Sequence, residues 1–188
     1  MRKMFITVLL LCVPVTAVVI YYRHGRQKNF VEYNKHSRDY SAVNRRVKMF
    51  YKWSQSLSIM GERIGNEAVD IIQGKTTSDF AARDMIITTK AMCSGKIEEL
   101  KIPVRDDFPE YKVWRELVIS YLRWQMEDVL KMSEETLAIA KDTSLSQHDR
   151  CQKLISVATP TNTIELEWKD KIQKSTINLY DAMNRECK

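Results

Sequence analysis

Between Tyr33 and Ile71 the apolar residues recur every three and four positions without a slip, and no other feature of the 188-residue chain restricts its fold as much. With position a of a heptad at Tyr33, Tyr40, Val47, Ser54, Gly61 and Ala68, position d falls at His36, Val43, Phe50, Leu57, Ile64 and Ile71. A 3.5-residue period over that length specifies one long helix whose apolar seam other helices must cover. Tyr51 and Ile72 at e, with Trp53 and Met60 at g, widen the seam beyond a two-stranded strip, so it faces several neighbours at once.

The rest of the chain supplies those neighbours. Five glycines and four prolines are few, and Gly74, Pro103, Pro109 and Pro160 sit at segment ends, as long helices with short connections require. Gly74 follows the last seam residues as a left-handed stop, and Thr76-Thr77-Ser78-Asp79 offers a cap for a second helix running to about Lys101. Its expected buried residues are Phe80, Ala81, Met85, Ala91, Met92 and Leu100. Pro103 ends it, and Pro109 opens a third helix to about Asp142 that buries Trp114, Leu117, Val118, Tyr121, Leu122, Val129, Met132, Leu137 and Ala140. Ser144 with Gln147 reads as a capping box for a short fourth helix closed by Thr159-Pro160. Asn162 with Glu165 reads as another box, opening a fifth helix that buries Trp168, Ile172, Leu179 and Ala182. The expected fold is all-α: an N-terminal transmembrane helix, then an up-and-down four-helix bundle with a long first helix and a last leg broken at Pro160.

Charge and hydropathy place the N-terminal part. Met4 to Tyr22 carries no charge, and as a helix its nineteen residues reach roughly 28 Å, close to the approximately 30 Å core of a bilayer. The net charge of +6 is concentrated just beyond it: residues 23–52 hold nine basic and two acidic residues, a balance of +7, against −3 for residues 53–188. The domains expected are a signal-anchor at 1–22, a basic juxtamembrane stalk at 23–32 and the bundle at 33–188. Arg23, Arg26 and Lys28 are placed to contact anionic lipid headgroups, each basic residue near the surface contributing about 1 kcal/mol. The same basic run, interleaved with Tyr33, Tyr40 and Tyr51, has the composition of a nucleic-acid surface, but those tyrosines lie on or beside the seam, so nucleic acid is not an expected partner. A cleaved signal peptide, with Val15-Thr16-Ala17 as cleavage site, is the competing reading of the N-terminus. The short Met1-Arg2-Lys3 start favours an extracytoplasmic domain, against the five Lys and Arg that follow the segment up to Tyr40.

Chemistry-bearing patterns are sparse. Glu-x-x-His pairs, Cys-x-x-Cys pairs, a Gly-x-Ser-x-Gly elbow and a phosphate-cradling Gly-rich loop are all missing from the sequence, so no catalytic activity, cofactor or metal is inferred. Of the cysteines, Cys93 and Cys151 are the expected pair if a disulfide forms. Gly61-x-x-x-Gly65 is read as close packing of a neighbouring helix rather than a ligand slot. The functional expectation is a single-pass, membrane-anchored bundle acting as a protein-interaction, scaffold or sensor module. Its partners would be the membrane and other envelope or membrane proteins, with homo-oligomers compatible. The alternative is a carrier or receptor for a small apolar ligand or lipid, its pocket drawn from Met85, Met92, Met126, Met132, Trp114 and Trp168.

Overall fold

A computed structural model describes residues 39–104 and 108–186. Secondary structure among them is entirely helical: α1 (39–72), α2 (Phe80–Lys101), α3 (Pro109–Trp124), a π-helical turn at Gln125–Val129, α4 (Leu130–Lys141) and α5 (Gln147–Glu186). A compact unit begins at Val43. The uncharged run 4–22, the stalk with Arg23, Arg26 and Lys28, and His36 lie outside the described residues. Within those residues no helix is long and apolar enough to cross a membrane.

Side-chain pairings fix the topology. Along α1 the residues Asn44, Tyr51 and Ser58 meet Tyr180, Thr176 and Lys169 of α5, so the two helices run antiparallel. Arg46, Trp53 and Met60 likewise meet Ile102, Lys96 and Thr89 in descending order along α2. Ser94 meets Met126, and Asp79 meets Lys141, which sets α2 antiparallel to the leg formed by α3, the π turn and α4. Trp114 meets Thr176 and Ala140 meets Arg150, which turns α5 back along that leg. The result is a bundle of four legs running up, down, up and down.

Most of the seam forms as its period demands: Val43, Val47, Phe50, Leu57, Ile64, Ala68 and Ile71 are buried, with Trp53 and Ile72 beside them, while Gly61 and Tyr51 are exposed and Ser54 and Met60 half-buried. α1 then stops in a Schellman turn. Gly74 sits at φ 72, its N–H bonds the carbonyl of Ile71, and the N–H of Lys75 bonds that of Asp70. Of the residues expected on the buried face of α2, only Leu100 is fully buried. That face is Ala82, Ile86, Thr89, Cys93, Ile97 and Leu100, again at heptad-like spacing, while Phe80 is 76% exposed and Ala81 and Ala91 face solvent. Apolar residues lie all round this helix, so the largest of them are a poor guide to its inner face.

The last leg is also a correction. α5 is one helix of 40 residues with Pro160 inside it, and no break occurs at Thr159-Pro160. Its cap is Ser146, whose Oγ accepts the N–H of Asp149 at 3.1 Å and donates to that carboxylate at 2.6 Å. The expected boxes at Ser144 and Asn162 do not form, Asn162 lying mid-helix. Proline removes one helical hydrogen bond, at a cost of about 3 kcal/mol in a helix interior. Here the site is exposed, so water reaches the orphaned carbonyl, and Thr159 Oγ1 donates to the Ile155 carbonyl one turn back. Farther along α5, Ile172, Thr176, Leu179, Ala182 and Met183 are buried and carry the helix through.

Two cores share the bundle. Toward the N-terminal end of α1, Phe50, Tyr111, Trp114 and Tyr121 pack ring to ring, with Trp124 and Trp168 at the edge. Toward its C-terminal end lies an aliphatic cluster of Ile64, Ala68, Ile71, Ile72, Ala82, Ile86, Leu130, Leu137 and Ala140, against which Met85, Cys151 and Leu154 rest.

Candidate functional site: an open groove on the bundle

The third leg explains how the bundle comes to be open on one side. Its buried positions, Tyr111, Trp114, Val118, Ile119, Tyr121, Leu122 and Gln125, lie no more than four apart, then jump five to Leu130 before resuming at Ser133, Thr136, Leu137 and Ala140. One residue too many must be absorbed, and the helix does so as a π turn, the Leu130 N–H bonding the Gln125 carbonyl five residues back. Gln125 is thereby turned inward, 4% exposed, its amide Nε2 donating to the Tyr121 hydroxyl at 3.0 Å. Burial pushes the Tyr121 phenol well above its ordinary pKa of 10, and the Glu165 carboxylate adds to the effect, so Tyr121 stays a neutral hydrogen-bonding group.

α5 contributes the other half of the opening. From Gln147 to Lys171 not one of its residues is fully buried. This stretch leans on α4 instead: Arg150 Nη1 donates to the Ala140 carbonyl at 2.8 Å, and Cys151 and Leu154 rest on the aliphatic cluster. The facing surface of α1 is left uncovered. Gly61 and Gly65 lie there, and a Cβ added to either would meet nothing within 4 Å. The expectation that these glycines admit a tightly packed helix is therefore overturned.

Between α1, the π turn with α4, and the first half of α5 runs a groove of about 550 Å³. Its character changes along its length. Ser58, Gln125, Glu165 and Lys169 make one end polar, with Lys169 Nζ 2.8 Å from the Glu165 carboxylate and 3.3 Å from Ser58 Oγ. Toward the other end the apolar walls are Ile64, Val69, Met132, Leu154 and Ile155, while Glu62, Asn66, Thr161 and Asn162 also line the groove along its length. Ser133 and Thr136 also line it, but Ser133 Oγ donates to the Val129 carbonyl and Thr136 Oγ1 to Met132 Sδ, which blunts their polarity. Ile155 is 60% exposed at the mouth. The arrangement can hold an apolar body with a hydrogen-bonding group at one end. Glu165 and Lys169 neutralise each other, so neither is a free charge.

Of the residues expected to line a ligand pocket, Met132 alone does so. Trp114 is fully buried in the aromatic core, its Nε1 donating to Thr176 Oγ1 at 3.1 Å; Met126 Sδ accepts from Ser94, and Trp168 packs on Tyr121 and Trp124. Met85 rests on the aliphatic cluster, and Met92 is half-buried on α2. Cys93 and Cys151 are both free thiols, the first buried and the second half-buried. Burial pushes the Cys93 thiol up from 9.0 to about 11. No cluster of three or more His, Cys, Asp or Glu fit to hold a metal occurs among the described residues. Sequence reasoning missed the π turn because Met126 and Val129 keep the apolar spacing regular across it; the five-residue step from Gln125 to Leu130 shows only in which residues are buried.

No protein family, curated protein or solved structure matches this chain.

Proposed function

We propose that this chain is a single-pass, membrane-anchored helical bundle whose work is binding, as a scaffold or sensor module at a membrane surface. The observation that carries the binding half of this reading is the groove. Helix interiors lose about 0.5–1 kcal/mol for a glycine in place of alanine, and here two glycines face the same open space. The anchoring half rests on the uncharged run from Met4 to Tyr22 and the +7 balance of the thirty residues that follow it. On this reading the large domain lies outside the cytoplasm. Partners on this reading are the bilayer and other envelope or membrane proteins, and the groove also suits the alternative role of carrier for a small apolar molecule.

The anchoring half is tested by separating membranes from soluble material in cells expressing the full chain, then washing the membranes at alkaline pH. Full-length protein retained in the washed pellet is expected; full-length protein in the soluble fraction would refute it. Sidedness follows from protease added to intact cells or spheroplasts. Degradation of the bundle is expected, and protection until lysis would place it on the cytoplasmic face.

A further inference from the structure

Among the faces of this bundle, the groove between α1, α4 and α5 is the one whose shape and chemistry select an occupant. From Leu57 to Val69 the α1 wall rises roughly 18 Å, at about 1.5 Å per residue. The volume of about 550 Å³ falls within the roughly 300–1,000 Å³ range of small-molecule sites, and the length of the groove suits a single extended chain.

Polarity supplies the direction. An extended chain lying over Gly61 and Gly65 would reach apolar walls at Val69, Leu154 and Ile155 at one end. At the other it would meet the Gln125 amide, the Ser58 hydroxyl and the mutually neutralised Glu165–Lys169 pair. Gln125 is more than nine-tenths buried and lines that end of the groove, its amide held in place by the Nε2 bond to the Tyr121 hydroxyl. We infer that the groove binds a single-chain amphiphile, a long-chain fatty acid or lysolipid, with its tail over Gly61 and Gly65 and its head at Gln125 and Lys169. This deepens the binding reading of the same site and rests on it.

The test uses the full chain reconstituted in lipid nanodiscs, with photoactivatable palmitic acid in one arm and photoactivatable lysophosphatidylcholine in the other. Cross-linked peptides are mapped by mass spectrometry. Adducts within residues 57–69 and 154–169, competed by unlabelled probe, are the expected result, and which arm labels identifies the head group accepted. Gly61→Leu and Gly65→Leu, singly and together, fill the groove from its floor. The double variant should cut groove labelling about tenfold, the loss expected when two or three methylenes are no longer buried. Circular dichroism and thermal melting report whether each variant is folded, and Gly65→Ala serves as a milder substitution that should reduce labelling without threatening the fold. Labelling absent from both segments in both arms would overturn the inference, as would labelling unchanged in a folded Gly61→Leu/Gly65→Leu variant. Either outcome would leave a membrane-pelleting protein that binds other proteins, so the failure of this inference is separable from that of the anchored-module reading.

Discussion

Thr176 is the hydroxyl on which three legs of the bundle converge, and replacing it with valine changes shape very little while removing that hydroxyl. Thr176 Oγ1 accepts from Trp114 Nε1 of α3 at 3.1 Å, accepts from the Tyr51 hydroxyl of α1 at 3.3 Å, and donates to the Ile172 carbonyl in its own helix at 2.8 Å. Tyr51 is exposed, so its hydroxyl can turn to water at little cost. Trp114 is fully buried, and in Thr176→Val its N–H has nowhere to go. An unsatisfied buried donor costs about 1–3 kcal/mol, so a loss of about 2 kcal/mol is expected. With urea m-values of about 1–3 kcal/mol/M, the midpoint of denaturation should fall by roughly 1 M at unchanged m. The attribution to Trp114 is checked by a double-mutant cycle: with Trp114→Phe the donor is gone, and Thr176→Val in that background should cost less than about 0.5 kcal/mol. Equal cost in both backgrounds would refute the reasoning, because the loss would then come from something other than the stranded indole N–H.

Arg46 Nη1 donates to both the Ile102 carbonyl and the Tyr111 hydroxyl, so Arg46→Met should cost about 1–2 kcal/mol by denaturation while Arg45→Met, at an exposed position, stays within about 0.5 kcal/mol. Pro160→Ala should raise stability, by up to about 3 kcal/mol, because it restores a donor inside an unbroken helix; a loss of stability in thermal melts would contradict the continuity of α5. Cys93 holds its proton up to about pH 11 when folded but releases it near pH 9 when unfolded, so the unfolded state binds fewer protons in that window. Its contribution to stability is complete below pH 9 and declines as pH rises toward 11, and Cys93→Ala should flatten that decline in denaturation series. Cys151 is half-buried and Cys93 buried, so Cys151 should react with a thiol reagent at neutral pH well before Cys93 does.

The long first helix and its stop were legible because each follows from a local rule: a 3.5-residue period from Val43 to Ile71, and a glycine free to adopt positive φ at Gly74. Four legs followed from the same periodicity and from Pro109 at a helix start. What was not legible is tertiary. Thr159-Pro160 carries a local stop signal, but buried Ile172, Thr176, Leu179 and Met183 hold the helix on course from twelve residues beyond it. Phe80 and the methionines of α2 are the bulkiest apolar residues there, yet the inner face is set by what α1 and α3 present, and Thr89 with Cys93 fill it. The groove depends on where α5 leans, which no spacing within α5 encodes. The five-residue interval before Leu130 was hidden too, because Met126 and Val129 bridge it with apolar residues and only the burial of Gln125 marks its start.

The binding reading stands on the empty space beside Gly61 and Gly65, and the stability of the Gly61→Ala/Gly65→Ala variant measures that space directly. With nothing within 4 Å of either added Cβ, the substitutions should relieve only the backbone-entropy cost of glycine. Denaturation of the full chain is then predicted to show a gain of about 0.5–1 kcal/mol at each position, roughly additive for the pair. A loss of stability at either position would mean that another helix already fills the space, and that there is no groove to bind anything.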